Sequence, residues 1–111
     1  MDVFPLADLT ARRAAAGDPY LEFLRVPDLS LGLYELETGG VDRQRPHTED
    51  EAYVVLAGHA RFTAGDETRV VAPGDTIFVA AGVPHRFHEI EGPLRLIVVF
   101  GPAEASRATG G

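Results

Sequence analysis

Between Tyr20 and Phe100 the chain is cut into short apolar–polar runs by glycine, proline and aspartate, and this punctuation constrains the fold more than any other feature. Side chains on a strand alternate between two faces, so a period of two marks a half-buried strand. Residues 20–25 form such a run and stop at Pro27-Asp28. Residues 29–37 form the next, with Leu29, Leu31 and Leu33 on one face and Ser30, Gly32, Tyr34 and Leu36 on the other, until Thr38-Gly39-Gly40 breaks it. Residues 51–56 and 59–64 follow; in the latter, Ala60, Phe62 and Ala64 alternate with His59, Arg61 and Thr63. Gly65-Asp66-Glu67 reads as a hairpin turn returned by residues 68–71, and Pro73-Gly74 as a type II turn before a short strand at 76–79. Residues 85–90 and 94–100 are expected to pair as a hairpin through Glu91-Gly92-Pro93. About seven to nine short strands at this spacing specify an all-β sandwich or small barrel.

A different signal precedes them. Asp8-Leu9-Thr10 offers a cap, and Ala-Arg-Arg-Ala-Ala-Ala at 11–16 predicts one short helix ended by Gly17-Asp18-Pro19. At 111 residues there is room for one core. The expected organisation is an N-terminal segment at 1–19, a barrel at 20–101 and a small, polar, flexible tail at 102–111. A chain of this size buries roughly two-thirds of its unfolded surface, so its core needs no metal or disulfide staple.

Composition excludes several classes. Without cysteine there is neither a disulfide framework nor a thiolate nucleophile. A net charge of −7 with no lysine argues against a nucleic-acid surface, which needs clustered cations. No apolar run approaches the ~20 residues that cross a bilayer, and Met1-Asp2-Val3-Phe4-Pro5 lacks the pattern of a signal peptide. The expectation is a soluble, cytoplasmic protein with no nucleic-acid or membrane partner.

The chemistry concentrates in residues 45–58, which begin polar and proline-stiffened and end as an apolar strand closed by Gly58. His47 and Glu51 stand at its mouth, and His85 follows Gly82-Val83-Pro84 downstream. Glu51 shares a face with Tyr53 and Val55, so its carboxylate points inward, at a cost of several kcal/mol unless it is paired or bound to a cation. In the later strand His85, Phe87 and Glu89 share one face, and Arg86, His88 and Ile90 the other. Two imidazoles and a carboxylate around one cavity match the donor set of a divalent transition metal with positions left open. The competing reading is a metal-free, hydrogen-bonded His–Glu pair. His59 reads as surface, His88 as facing away from the site, and Glu49 and Asp50 as a solvated acidic turn.

These residues resemble the two motifs of the small single-domain cupins, G-x5-H-x-H-x3,4-E-x6-G and G-x5-P-x-G-x2-H-x3-N. His47, Glu51 and Gly58 match the first motif; Gly74, Gly82 and His85 match the second. Arg45 falls where the family has its first histidine, Ala80 on the motif proline and Glu89 on the terminal asparagine. The resemblance implies a cupin (jelly-roll) β-barrel with one short N-terminal helix and a three-ligand metal site of His47, Glu51 and His85, with Gln44 a candidate fourth ligand. Iron is the leading metal, with manganese, nickel or zinc sharing the same ligands. Arg45, Tyr53, Phe87 and Tyr34 are candidates for the substrate pocket, and Tyr53 and Glu89 for acid–base roles.

The implied function is a metal-dependent, dioxygenase-like oxidoreductase acting on a small organic molecule. Alternatives are a non-catalytic binding or sensing module, or a metal-dependent isomerase, epimerase or lyase. A homodimer is the family expectation, with residues 20–25 as the edge that a partner's sheet would extend.

Overall fold

The computed structural model describes residues 1–107. One helix, α1 (Leu6–Ala16), precedes six strands: β1 (Tyr20–Val26), β2 (Leu29–Leu36), β3 (Asp50–Ala64), β4 (Glu67–Val71), β5 (Thr76–Val79) and β6 (His85–Gly101). All pairings are antiparallel, in the order β1-β2-β6-β3-β4, with β5 on the free side of β3. The all-β expectation with one helix holds.

The helix starts earlier than its sequence suggested. Pro5 occupies the N-cap without a side-chain cap, and the Thr10 hydroxyl bonds back to the Ala7 carbonyl. Asp8 instead sits in the first turn, where its charge favours the helix dipole. Gly17 ends the helix in the left-handed region, φ 84°, with its N–H on the Arg13 carbonyl.

Strands are fewer than expected because two pairs of runs join. The runs at 51–56 and 59–64 form one strand through Gly58, where φ is +83° and the register with β6 shifts. A Cβ at Gly58 would lie 2.6 Å from the Pro93 carbonyl oxygen and 2.8 Å from Leu94 Cα, so only glycine admits this approach. The hairpin expected through Glu91-Gly92-Pro93 does not form. Both of its arms belong to β6 and pair along β3, the outer arm with residues 61–64 and the inner with residues 50–57. The partner each arm finds is the long neighbouring strand, and a bend at Gly92-Pro93 serves where a turn was expected.

A second bulge changes which side chains point inward. Glu89 has φ +49°, and three steps along β6 (88 to 91) match two along β3 (61 to 59). The extra residue inverts the alternation, so Ile90 is buried and Glu89 is exposed.

The interior is built from alternate residues of the two long strands: Tyr53, Val55 and Phe62 from β3, and Phe87, Ile90, Leu94, Leu96, Val98 and Phe100 from β6. Tyr34 and Leu36 join them from β2. Each large side chain withdrawn from water contributes about 1.5–3 kcal/mol. Tyr53, Phe62 and Phe87 form an aromatic cluster, with ring centroids 5.0 Å apart for Tyr53–Phe87 and 4.6 Å for Phe62–Phe87.

Residues 102–107 pack against the barrel where a flexible tail was expected. Ala103 is buried, and the Glu49 carboxylate accepts the N–H groups of Ala105 and Arg107. Glu49 is therefore no part of a solvated turn: it is buried, and it satisfies backbone donors that would otherwise have none. The rest of the expected tail, 108–111, lies outside the described residues.

Candidate metal centre

The loop between β2 and β3 is shaped by a residue that sequence reasoning missed. Asp42 is buried and accepts hydrogen bonds from the Tyr34 hydroxyl (2.7 Å), Gln44 Nε2 (2.9 Å) and the Phe87 backbone N–H (2.9 Å). One carboxylate thus joins β2, the loop and β6. Nothing local announces it, since Phe87 is 45 residues away. Further along the loop, the His47 carbonyl accepts the Gly82 N–H at 2.7 Å, bringing the turn before β6 up to His47.

Three elements then deliver one side chain each: His47 from the loop, Glu51 from the start of β3 and His85 from the start of β6. One ligating atom from each lies within 4.8 Å of the other two. His85 Nε2 is 2.8 Å and His47 Nε2 4.0 Å from Glu51 Oε1. Beside them lies a cavity of about 390 Å³, walled by Tyr20, Tyr34, Leu36, Val98 and Phe100, among others.

The other sequence candidates divide. Gln44 is at the cluster: its Oε1 accepts the Tyr53 hydroxyl at 2.9 Å and lies 3.3 Å from His47 Nε2. Tyr53 is fully buried beside His85, with its hydroxyl oxygen 3.0 Å from Nε2. Burial, then the charge of Glu51, pushes the Tyr53 hydroxyl far above its ordinary range, so it serves as a neutral hydrogen-bond donor. Tyr34 lines the cavity, also with a raised pKa through burial and its bond to Asp42.

Four candidates are not in the cavity wall, Tyr53 among them, because its ring is buried in the core behind the cluster. Arg45 is exposed, because residues 37–49 form no strand and impose no alternation; Arg43 lines the cavity instead. Phe87 lies beneath, packed on Tyr53 and Phe62. Glu89 is turned outward by its bulge and pairs with Arg61 at 3.0 Å. His88 faces away from the cluster, on Thr63, as strand parity implied.

The protons of the donor set show what the site can hold. The Val83 carbonyl lies 2.8 Å from His85 Nδ1, and a carbonyl can only accept, so Nδ1 carries a proton. In the neutral ring, Nε2 then presents a lone pair to Glu51 Oε1 at 2.8 Å. Both Glu51 oxygens are buried and neither accepts a hydrogen bond. Lone pairs at that distance repel unless a cation, proton or metal, lies between them. Burial alone would lower the His85 pKa, but the Glu51 carboxylate, which a protonated Nε2 can bond, the Val83 carbonyl and the nearby charges outweigh it and raise the value above its ordinary range. The site is built to attract positive charge, and two imidazoles with one carboxylate fit a divalent transition metal.

The family model for the cupin domain matches residues 32–100. The chain is a cupin. Among its relatives is the Streptomyces coelicolor protein SCO3923, 49% identical over 105 residues, which cover 95% of this chain and all of that one. Among solved structures, this cupin is similar to TT1209 from Thermus thermophilus, with a TM-score of 0.78 and 28% identity over 93% of this chain and 99% of that one. It is also similar to the DMSP lyase DddQ from Ruegeria pomeroyi, with a TM-score of 0.63 and 27% identity over 68% of this chain and 39% of the lyase. No described helix is long and apolar enough to cross a membrane.

Proposed function

We propose that this cupin is a metal-dependent enzyme acting on a small organic molecule in its 390 Å³ cavity, with His47, Glu51 and His85 holding the metal. The observation that carries the reading is the buried Glu51 carboxylate, whose oxygens accept no hydrogen bond while the His85 ring is neutral and whose Oε1 lies 2.8 Å from His85 Nε2 and 4.0 Å from His47 Nε2. Iron is the leading metal and dioxygenation the leading chemistry, because two histidines and one carboxylate form the ligand set associated with non-haem iron oxygenases. A bound divalent metal supplies Lewis acidity and, if it is iron, one-electron chemistry with dioxygen.

The chain's own residues prepare the rest. Leu36, Val98 and Phe100 give the cavity an apolar wall that excludes water from the reacting molecule. Arg43 stands in the wall and suits an anionic group of the substrate. The Tyr20 hydroxyl is buried without a partner, its ring lying over Gly32, where any Cβ would collide with it. Tyr53 fixes Gln44 through its hydroxyl and keeps that amide oxygen directed at the cluster.

A lyase is the second reading, favoured by the likeness to DddQ. Oxygen uptake by the iron-loaded protein across a panel of small carboxylates and phenols separates the two. Substrate-dependent uptake supports dioxygenation, whereas product formation under anaerobic conditions supports the lyase. We also propose a homodimer joined at β1, which stands at the edge of the sheet. Light scattering on the purified protein checks it.

A further inference from the structure

One carboxylate in the cavity wall comes from the far end of the chain: Glu104. Its backbone is held on several sides. The Glu104 N–H donates to Ser30 Oγ at 2.9 Å, and its carbonyl accepts from Arg25 at 2.8 Å. Just beyond it, buried Glu49 accepts the N–H groups of Ala105 at 2.6 Å and Arg107 at 3.0 Å. This anchoring brings Glu104 Oε2 to 3.6 Å from His47 Nδ1.

The other nitrogen of His47 faces the cluster, 4.0 Å from Glu51 Oε1 and 3.3 Å from Gln44 Oε1. A neutral imidazole has one N–H, so Glu104 and Gln44 compete for it. Glu104 has the advantage, since a carboxyl oxygen aimed at Nδ1 has no other partner to share, while Gln44 Oε1 already accepts from Tyr53. A proton on Nδ1 leaves the Nε2 lone pair free for a metal. A carboxylate behind a ligating histidine fixes the ring and makes it a better donor.

We propose that Glu104 is a positioning residue that takes the Nδ1–H of His47, turns the Nε2 lone pair toward Glu51 and His85, and so sets the metal affinity of the site. The buried Glu49 keeps the segment in place for this task. The inference rests on the metal reading above.

The test compares the full-length protein with its Glu104→Ala variant, with Glu49→Gln as a second way to release the segment. Nitrogen-15 NMR of the metal-free protein reads the His47 tautomer, and titration with Co²⁺ followed by absorbance reads affinity. The expected result is a smaller Nδ1–H population in both variants and Co²⁺ binding weakened by about tenfold or more. An unchanged tautomer population in Glu104→Ala overturns the inference, as does Co²⁺ affinity within twofold of the parent. Failure of the parent protein to bind Co²⁺ overturns the metal reading itself, and the NMR comparison still decides the role of Glu104.

Discussion

His85 and Glu51 meet at 2.8 Å through the one imidazole nitrogen that the Val83 carbonyl leaves without a proton in the neutral ring. A contact that needs a cation between its two partners makes the metal-free site a source of instability. Glu51→Gln removes the buried charge with little change of shape. It should stabilise the metal-free protein at pH 8 by about 1 kcal/mol, since an unpaired buried charge costs at least that much. Urea denaturation in the presence of a chelator measures this, and the same variant should lose the stabilisation that added metal gives the parent.

Protons and metal compete for His85, and the two have opposite pH dependences. The His85 pKa is raised in the folded metal-free protein, so the stability it contributes is fully present below the ordinary histidine value of about 6.5 and is lost as pH rises through the folded value. Metal binding requires the deprotonated nitrogen and strengthens over the same rise. Thermal melts from pH 5.5 to 8.5, with and without Co²⁺, should show the Tm increment from metal growing with pH.

Gly58 is where β3 passes under the bend of β6. Its φ of +83° and the 2.6 Å separation of a would-be Cβ from the Pro93 oxygen leave no room for alanine. Gly58→Ala should cost about 2 kcal/mol or more, through backbone strain and displacement of β6. Gly65→Ala, with φ +58° but open space around its Cβ, should cost less. Melts of the two variants side by side separate crowding from conformational strain.

Glu49 should matter for stability even though it lies outside the metal cluster. Burial alone would raise its pKa; hydrogen bonds from the Thr48 hydroxyl and the Arg107 and Ala105 N–H groups, with the charge of His47, hold it below the ordinary carboxylate range. Its contribution is therefore present above about pH 4.5 and lost as pH falls through the folded value. Glu49→Ala should cost about 2–3 kcal/mol near neutral pH by orphaning those donors. The difference from the parent should shrink in acid, as chemical denaturation at pH 3 and pH 7 would show.

Local spacing carried much of this structure. Turn residues and alternation were enough to place β1, β2, β4 and β5 within a residue or so, and motif spacing singled out the three residues that cluster. What was not legible depends on contacts between distant residues. Gly58 and Pro93 look like strand breakers until the two long strands are seen to bend against one another. Glu89 takes the inward position by simple counting, and only its positive φ turns it outward. Asp42, Glu49 and Glu104 each act on a partner far along the chain, so none has a local signature. Motif position alone puts Arg45 in the pocket, yet its segment forms no strand, and the cavity is lined by Arg43.

Elemental analysis reads without an intermediary whether His47, Glu51 and His85 hold a metal. The protein should be purified without a histidine tag, beside its Glu51→Ala variant. Near-stoichiometric transition metal is expected in the parent, iron foremost, with its loss in the variant while the barrel stays folded. A parent protein that holds no metal even after anaerobic reconstitution, or a variant that keeps the full complement, would contradict it.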